Sequence, residues 1–486
     1  VAFARRILAA GEPLARVRDR QDKVEQARGN PGLFADFRRV SARASRGFKA
    51  PENIIKAIEA AVDLPFDEGM AREAELFDEL HESVESAAQR YYFFVERETV
   101  KVPNVPPAIP TREIKGAAVI GAGTMGAGIA MNFLNAGMPV TLVETNEEAL
   151  ARGLGVIRRK YENAAKRGRI SAGQVEQRMA LIAPTTELDA VSDADLVVET
   201  VFEEMALKKE VFEKLDAICK PSAILASNTS YLDLDEIAGA THRPESVIGL
   251  HFFSAANVIR LLEVVRGAKT DHEVIATALK LAKRIAKVPV LAKVCRGFIA
   301  NRVMQRYMDQ AEGMILEGTA PAAIDQAIFD YGFAMGPFGM ADFDGLDVAG
   351  RGSNERTVRS DLVKLDRLGQ KKNGGYYDYD ADRTAKPSAV AAKVIEDVAR
   401  YRGIQQRPPA SPGQIVERLL YPVVNEGAKV LDEGTAIRAS DVDVACILGF
   451  SWPIYTGGPM FWADTVGLPR ILAKLKEHEA LHGEAF

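Results

Sequence analysis

The hexapeptide Gly121-Ala122-Gly123-Thr124-Met125-Gly126 restricts what this chain can fold into more than any other segment. It follows the apolar run Ala117-Ala118-Val119-Ile120 and opens a helical pattern reaching about Ala136; residues 139–144 then return to strand character. A strand, a glycine turn, a helix and a second strand make the first unit of an open α/β sheet that binds a dinucleotide. In such a unit Gly121 permits the tight turn, Gly123 lets a pyrophosphate approach the backbone, and Gly126 allows close packing of helix on strand. Thr124, Met125 and Gly126 then offer free N–H groups to the phosphates. About twenty residues on, Glu144 ends the second strand, where an acid accepts hydrogen bonds from the adenosine ribose. Thr145 and Asn146 follow it rather than Arg or Lys, so NAD is the expected cofactor and not NADP. An unrelated glycine turn is the alternative, and Glu144 argues against it.

Apolar runs at 195–198, 223–226, 246–250 and 260–265, most of them separated by helical stretches, extend this unit into a largely parallel sheet. Upstream, residues 1–100 carry apolar positions at helical spacing, as in Ile54, Ile55, Ile58, Ala61 and Val62. Residues 101–114 include four prolines between Val102 and Pro110 and should form an extended linker. Past 297 the pattern turns helical and repeats. Glu312-Gly313, Glu317-Gly318, Asp325, Gly332-Phe333, Pro337, Ala341-Asp342 and Gly345 find counterparts in Glu426-Gly427, Glu433-Gly434, Asp441, Gly449-Phe450, Pro459, Ala463-Asp464 and Gly467. The expected architecture is therefore a helical segment (1–100), the linker (101–114), an α/β Rossmann-type NAD-binding domain (115–296) and two duplicated all-α domains (297–410 and 411–486).

Composition narrows the function. A net charge of -5 offers no field for nucleic acid, and the three cysteines, Cys219, Cys295 and Cys446, have no metal or redox spacing, so no metal is expected. No apolar run approaches the ~18 residues of a membrane span. These features suggest a soluble intracellular protein, and the initial Val1 suggests that the chain starts inside a longer precursor.

Hydride removal from a secondary alcohol needs a base, and histidine suits neutral pH. His81, His242, His272, His478 and His482 lie in charged contexts that suggest exposure. His251 instead ends the apolar run 247–250, at the edge where open α/β sheets bind ligands. Alone, a histidine there is more often structural. Glu263 lies in the next apolar run, where an unpaired carboxylate is costly to bury. If 254–257 turns the chain back, Glu263 can meet His251, fix its tautomer and stabilise its imidazolium. A salt bridge from Glu263 to Arg260 or Arg266 stands as an equal alternative.

Together with Ser227-Asn228-Thr229-Ser230, His251-Phe252-Phe253-Ser254, Leu262-Glu263-Val264, Gly297-Phe298-Ile299-Ala300-Asn301-Arg302 and Leu368-Gly369-Gln370-Lys371, these motifs resemble the L-3-hydroxyacyl-CoA dehydrogenase family from Lys115 nearly to the C-terminus. The resemblance implies that His251 is the base and Glu263 its partner, with Ser230 and Asn301 bonding the reacting oxygen and Ser254 near the substrate. It implies Glu203, Lys208, Asn228 and Lys371 near NAD, and Arg167 on the phosphates of an acyl-CoA substrate. For Arg167, in the basic stretch 166–169, a solvated charged face is an equal alternative. Two positions depart from the family: Ala255 stands where proline is usual, and Asn373-Gly374-Gly375 replaces a Gly-Lys-Gly pattern.

The resemblance is greatest to bifunctional β-oxidation enzymes, in which an enoyl-CoA hydratase precedes the dehydrogenase. Residues 1–100 resemble the end of that hydratase and its linking helices, without its oxyanion loop or its two catalytic glutamates. Glu417 stands opposite Asn301 in the second helical copy. That copy is therefore expected to be structural and to take the place of a partner subunit in a monomer. The bacterial cytoplasm is the expected setting, or the peroxisome if the source is eukaryotic. Rival functions are a β-hydroxyacid dehydrogenase of the 6-phosphogluconate type, which uses a lysine, and an NAD-binding protein without catalysis.

Overall fold

The structure is a computed structural model that describes residues 1–486 apart from 12–15, 31, 104, 107, 348–355 and 484–486. The chain divides into two units, Val1–Arg90 and Tyr91–Phe486.

Among its described residues the first unit holds helices and no strand. Helices Ala50–Asp63 and Phe66–His81 pack through Ile55, Val62 and Leu76, which are buried. Arg38, from the helix Leu33–Ser45, bridges Glu52 and Glu59 at 2.9 and 2.6 Å and ties a third helix to this hairpin.

The second unit is built on an eight-stranded sheet: β1 (Ala117–Ile120), β2 (Val140–Val143), β3 (Ile182–Thr185), β4 (Leu196–Glu199), β5 (Ile224–Ser227), β6 (Val247–Phe252), β7 (Leu261–Arg266) and β8 (Val288–Lys293). Their order is β3-β2-β1-β4-β5-β6-β7-β8, parallel except between β6 and β7. The central strands β1, β4, β5 and β6 are buried throughout, which explains their near-continuous apolar runs. The antiparallel step has a simple cause: residues 253–260 form a turn, too short for the crossover that a parallel neighbour requires. Two strands had no counterpart among the expected ones. The edge strand β3 is short, partly exposed and contains Pro184, which an edge tolerates. β8 is a plain apolar run that pairs with β7 over six residues.

Arg112 anchors the linker near its end. Its backbone N–H donates to Thr277 and its guanidinium reaches Ser246 and Glu273. After β8 the chain is mainly helical, with one addition to the expected all-α pattern, a hairpin of β9 (Tyr377–Tyr379) and β10 (Ala385–Pro387).

The helical repeat shows itself in reciprocal contacts. Arg302, on the helix Ala300–Leu316, meets Glu426 and Glu433, while Arg418, on Pro412–Asp432, meets Gln310 and Glu317. Each pair maps onto the other under one shift, as across a two-fold interface. Three expected pairings change as a result. Within these continuous helices Glu426 corresponds to Gln310, not Glu312. The counterpart of Asp325 is Asp443, not Asp441. Asp325 accepts from the N–H groups of Phe338 and Gly339 and from the Tyr377 hydroxyl; Asp443 accepts from those of Met460 and Phe461 and from Tyr91. Likewise Gly332-Phe333 corresponds to Ser451-Trp452, since the helix Ala439–Phe450 is one residue longer than Pro321–Tyr331. The rings of Phe333 and Trp452 meet edge to face, 5.3 Å apart.

Candidate active site

Because β1 lies between β2 and β4, the sheet has a switch point at the carboxyl ends of β1 and β4, where open α/β sheets bind ligands. The glycine turn sits there. Gly121 has φ 101°, and a Cβ at Gly126 would lie 1.9 Å from the Gly121 carbonyl oxygen, so the fold itself requires both glycines. Gly123 is different. Its φ of -67° suits any residue, and a Cβ there would meet nothing within 4 Å. The open space lies where a pyrophosphate would approach, in front of the uncapped N-terminus of the helix Thr124–Asn135. Thr124 is exposed and Met125 half-buried in its first turn. Glu144 closes the turn by accepting from the N–H groups of Ala122 (2.9 Å) and Thr145 (2.7 Å). Burial alone would raise its carboxyl, but these donors outweigh burial and hold it below its ordinary value. These features fit a dinucleotide.

Along the same sheet edge, β6 and β7 bring His251 and Glu263 directly opposite each other. His251 Nδ1 lies 2.7 Å from Glu263 Oε2, and both side chains are buried. Glu263 Oε1 accepts from the N–H groups of Ile299 (3.1 Å) and Ala300 (2.8 Å), at the start of the helix Ala300–Leu316. An acid facing a helix N-terminus is favoured as the anion, so it accepts from the ring, the proton sits on Nδ1 and Nε2 keeps its lone pair. The alternative, a salt bridge from Glu263 to Arg260 or Arg266, is not seen among the described residues, and Arg260 pairs with Glu96. Phe253 and Phe298 flank the imidazole, with ring centroids 4.4 and 5.6 Å away.

Asn228, just after β5, accepts from the Phe252 N–H at 2.9 Å and so ties the end of β5 to the strand of His251. Ser230 is half-buried two residues on. Its turn is organised by Glu203, which accepts from the Thr229 hydroxyl and from the N–H groups of Ser230 and Tyr231. Lys208 is fully buried, with its ammonium 2.7 Å from Glu199 and 3.4 Å from Glu203. Its place in the site is behind Glu203. Glu199, completely buried and also bonded to Ser227 at 2.8 Å, was not among the sequence candidates. Its only signal was a charged residue closing the apolar run of β4. Asn301 is half-buried in the first turn of the helix that caps Glu263, and its amide has no hydrogen-bond partner among the described residues.

Other candidates lie apart. Ser254 is exposed in the turn after His251, where the Ser254–Ala255 peptide is cis. Arg167 is exposed just past the helix Glu147–Lys166. Lys371 pairs with Asp347 in the helical region. Of the histidines expected to be exposed, His478 and His482 are partly buried and stack on each other, with His482 3.0 Å from Glu317.

Comparison with known proteins gives this geometry its family. The profile of the 3-hydroxyacyl-CoA dehydrogenase NAD-binding domain matches residues 116–295, and that of the family's C-terminal domain matches 297–379. This chain belongs to the 3-hydroxyacyl-CoA dehydrogenase family. It is 38% identical to the peroxisomal bifunctional enzyme of Danio rerio, over 99% of this chain and 70% of that protein. Among solved structures, 3-hydroxybutyryl-CoA dehydrogenase from Escherichia coli matches with TM-score 0.65 at 28% identity, covering 77% of this chain and 96% of that one. The dehydrogenase part of multifunctional enzyme 1 from C. elegans matches with TM-score 0.59 at 33% identity, covering 81% and 93%. The chain is thus an NAD-dependent 3-hydroxyacyl-CoA dehydrogenase of the β-oxidation type. Among the described residues no helix is long and apolar enough to cross a membrane, and no acid, histidine and cysteine cluster could hold a metal.

Proposed function

We propose that this dehydrogenase oxidises L-3-hydroxyacyl-CoA to 3-ketoacyl-CoA with His251 as general base. The observation that carries the reading is the 2.7 Å contact of His251 Nδ1 with Glu263, whose other oxygen is held by the N-terminus of the helix bearing Asn301. Nε2 takes the proton from the C3 hydroxyl, and the imidazolium that forms is stabilised by Glu263. NAD, when bound, supplies the hydride acceptor. Ser230 and Asn301 hydrogen-bond the reacting oxygen and orient C3, while Phe253 and Phe298 keep water from the ring. Glu203 and Lys208 act from behind the 229–231 turn, and Asn228 fixes the end of β6. Gly121, Gly123, Thr124, Met125, Gly126 and Glu144 hold the dinucleotide; Lys371 would reach it only from the helical region. Ser254 and Arg167 are the candidates for the acyl-CoA itself.

Against the rival that uses a lysine, Lys208 has its ammonium tied to Glu199. The relatives named bifunctional support a second activity beside this one, which the resemblance of residues 1–100 makes that of a hydratase. Their names, peroxisomal or glyoxysomal, support a peroxisomal setting; the expected bacterial cytoplasm has no such support. The reciprocal helical contacts support a monomer. The direct test is a panel of 3-hydroxyacyl-CoA and 3-hydroxyacid substrates with NAD: turnover confined to the L-3-hydroxyacyl-CoA esters is expected, and turnover of the free acids alone would overturn the reading.

A further inference from the structure

The turn 253–260 joins the strand of His251 to the strand of Glu263, so its shape sets how the two meet. Lys287, at the foot of β8, is 6% exposed, and its ammonium lies 2.5 Å from the carbonyl oxygens of both Ala256 and Ile259. One cation therefore bridges two points of the turn. It has no carboxylate in ion-pair contact among the described residues, and the Phe252 ring lies 5.9 Å away. Ala256 also receives a hydrogen bond from Asn132 Nδ2 at 3.1 Å, and Asn132 belongs to the helix Thr124–Asn135, which opens the dinucleotide site. On that helix a Cβ at Gly128 would lie 3.1 Å from the Ala256 side chain, so turn and helix touch without room for another atom. Lys160 completes the clamp through Asn257 at 3.0 Å. These donors hold the turn from the sheet on one side and from the helices on the other.

A buried cation without a counter-ion is costly, and an apolar side chain of similar length would fill the same volume. The ammonium adds direction: short, charge-assisted bonds to two fixed carbonyls. We infer that Lys287 is a positioning residue of the dehydrogenase, clamping the turn between His251 and Glu263 against the cofactor helix so that the base stands in register with the dinucleotide. This rests on the reading of His251 as the base. Lys287 lines a cavity of about 150 Å³ with Asn132, Asn257, Arg260 and Arg284. The charges facing it are those of Lys160, Arg260 and Arg284, and Arg260 is neutralised by Glu96. Burial lowers the Lys287 ammonium to about 8. Its charge, and with it the strength of the clamp, declines as pH rises through that value.

The test is oxidation of L-3-hydroxybutyryl-CoA by NAD from about pH 6 to about pH 9.5, with NADH affinity and Tm measured in parallel. A fall above about pH 8 that is present in the wild type and absent from a Lys287 variant is the one that belongs to Lys287. Lys287→Met is expected to lower kcat by on the order of 10- to 100-fold, as misplacement of a base does, to leave NADH affinity within about threefold and to lack the fall at high pH. Wild-type kcat in Lys287→Met would overturn the inference even if Tm drops. If Lys287→Met does not fold, Asn132→Ala removes the second donor to Ala256, together with a 3.2 Å bond to the Gly128 carbonyl within its own helix. Lowered kcat with NADH affinity kept supports the clamp, and unchanged kcat refutes it. His251→Ala run beside these separates the two ideas, since full activity there would fail the base assignment and leave the Lys287 result to be read by itself.

Discussion

His251 and Glu263 are cross-strand neighbours in the one antiparallel step of the main sheet, and the contact between them follows from that register. On paired strands, directly opposite residues project to the same face. A short turn therefore suffices to place an acid behind an imidazole. The helix N-terminus beyond β8 then does what a third member does in other catalytic groupings, fixing the acid that fixes the ring.

Glu144 should decide the cofactor. Its two oxygens are engaged by the Ala122 and Thr145 N–H groups and it is held ionised, so a 2′-phosphate on the ribose would meet a fixed negative charge. NAD should exceed NADP in kcat/KM by on the order of 100-fold, and Glu144→Ser should narrow the gap to about tenfold or less, mainly through lost NAD efficiency. Comparable efficiency with both cofactors in the wild type would refute this.

Much of this was legible before the structure. Gly121, Gly126 and Glu144 are local in sequence and bear on one turn, so the cofactor site could be read directly. The pair His251 and Glu263 required knowing that β7 returns beside β6, and spacing alone left Arg260 as open a partner as His251. Glu199, Asn132 and Lys287 were hidden because their roles arise between elements far apart in the chain: Asn132 meets Ala256 over 124 residues. The repeat is visible in its glycines and prolines, but its register is not: between Asp441 and Asp443 only the hydrogen bonds mark Asp443 as the counterpart of Asp325.

The duplicated Asp–Tyr bond gives a stability prediction. Burial pushes Asp443 up to about 7 and Asp325 up to about 6, while their N–H and tyrosine donors pull the other way. A carboxyl whose folded value exceeds its unfolded value binds more protons when folded, so its contribution to stability falls as pH rises from about 4 to about 7. Tyr91→Phe removes a donor that favours the Asp443 anion and should cost about 1–3 kcal/mol at pH 8 and less at pH 5.5. Tyr377→Phe should behave alike around Asp325. Urea unfolding at both pH values checks this; equal losses at both would show that the hydroxyl does not favour the anion.

The reciprocal pairs make a second structural prediction. Arg302→Ala and Arg418→Ala should each destabilise the protein, on the order of 1–3 kcal/mol, because each reaches the same two positions of the opposite copy, Glu426 and Glu433 for Arg302, Gln310 and Glu317 for Arg418. With the second copy facing the first inside one chain, equilibrium sedimentation should report a monomer. A dimer that persists on dilution would show that the helical pair does not replace a partner subunit.

The most decisive substitution is at His251. A base must take the hydroxyl proton as hydride leaves C3, and positioned bases contribute on the order of 10²- to 10⁴-fold, so His251→Ala should lower kcat by about that factor. NAD binding should survive, because the glycine turn and Glu144 are built from β1, β2 and the helix between them, not from β6. Glu263→Gln keeps a side chain of the same length beside Nδ1 but removes the charge that stabilises the imidazolium, so turnover should slow. It also leaves one amide oxygen to serve the ring and the Ile299 and Ala300 N–H groups, so some loss of Tm should accompany the slower turnover. The two effects separate well below the unfolding temperature, where kcat per folded enzyme stays low if the charge of Glu263 supports the base and returns to near wild type if only stability is lost. If His251→Ala keeps near-wild-type kcat with NAD bound, the buried imidazole is a structural partner of Glu263 and the base lies elsewhere.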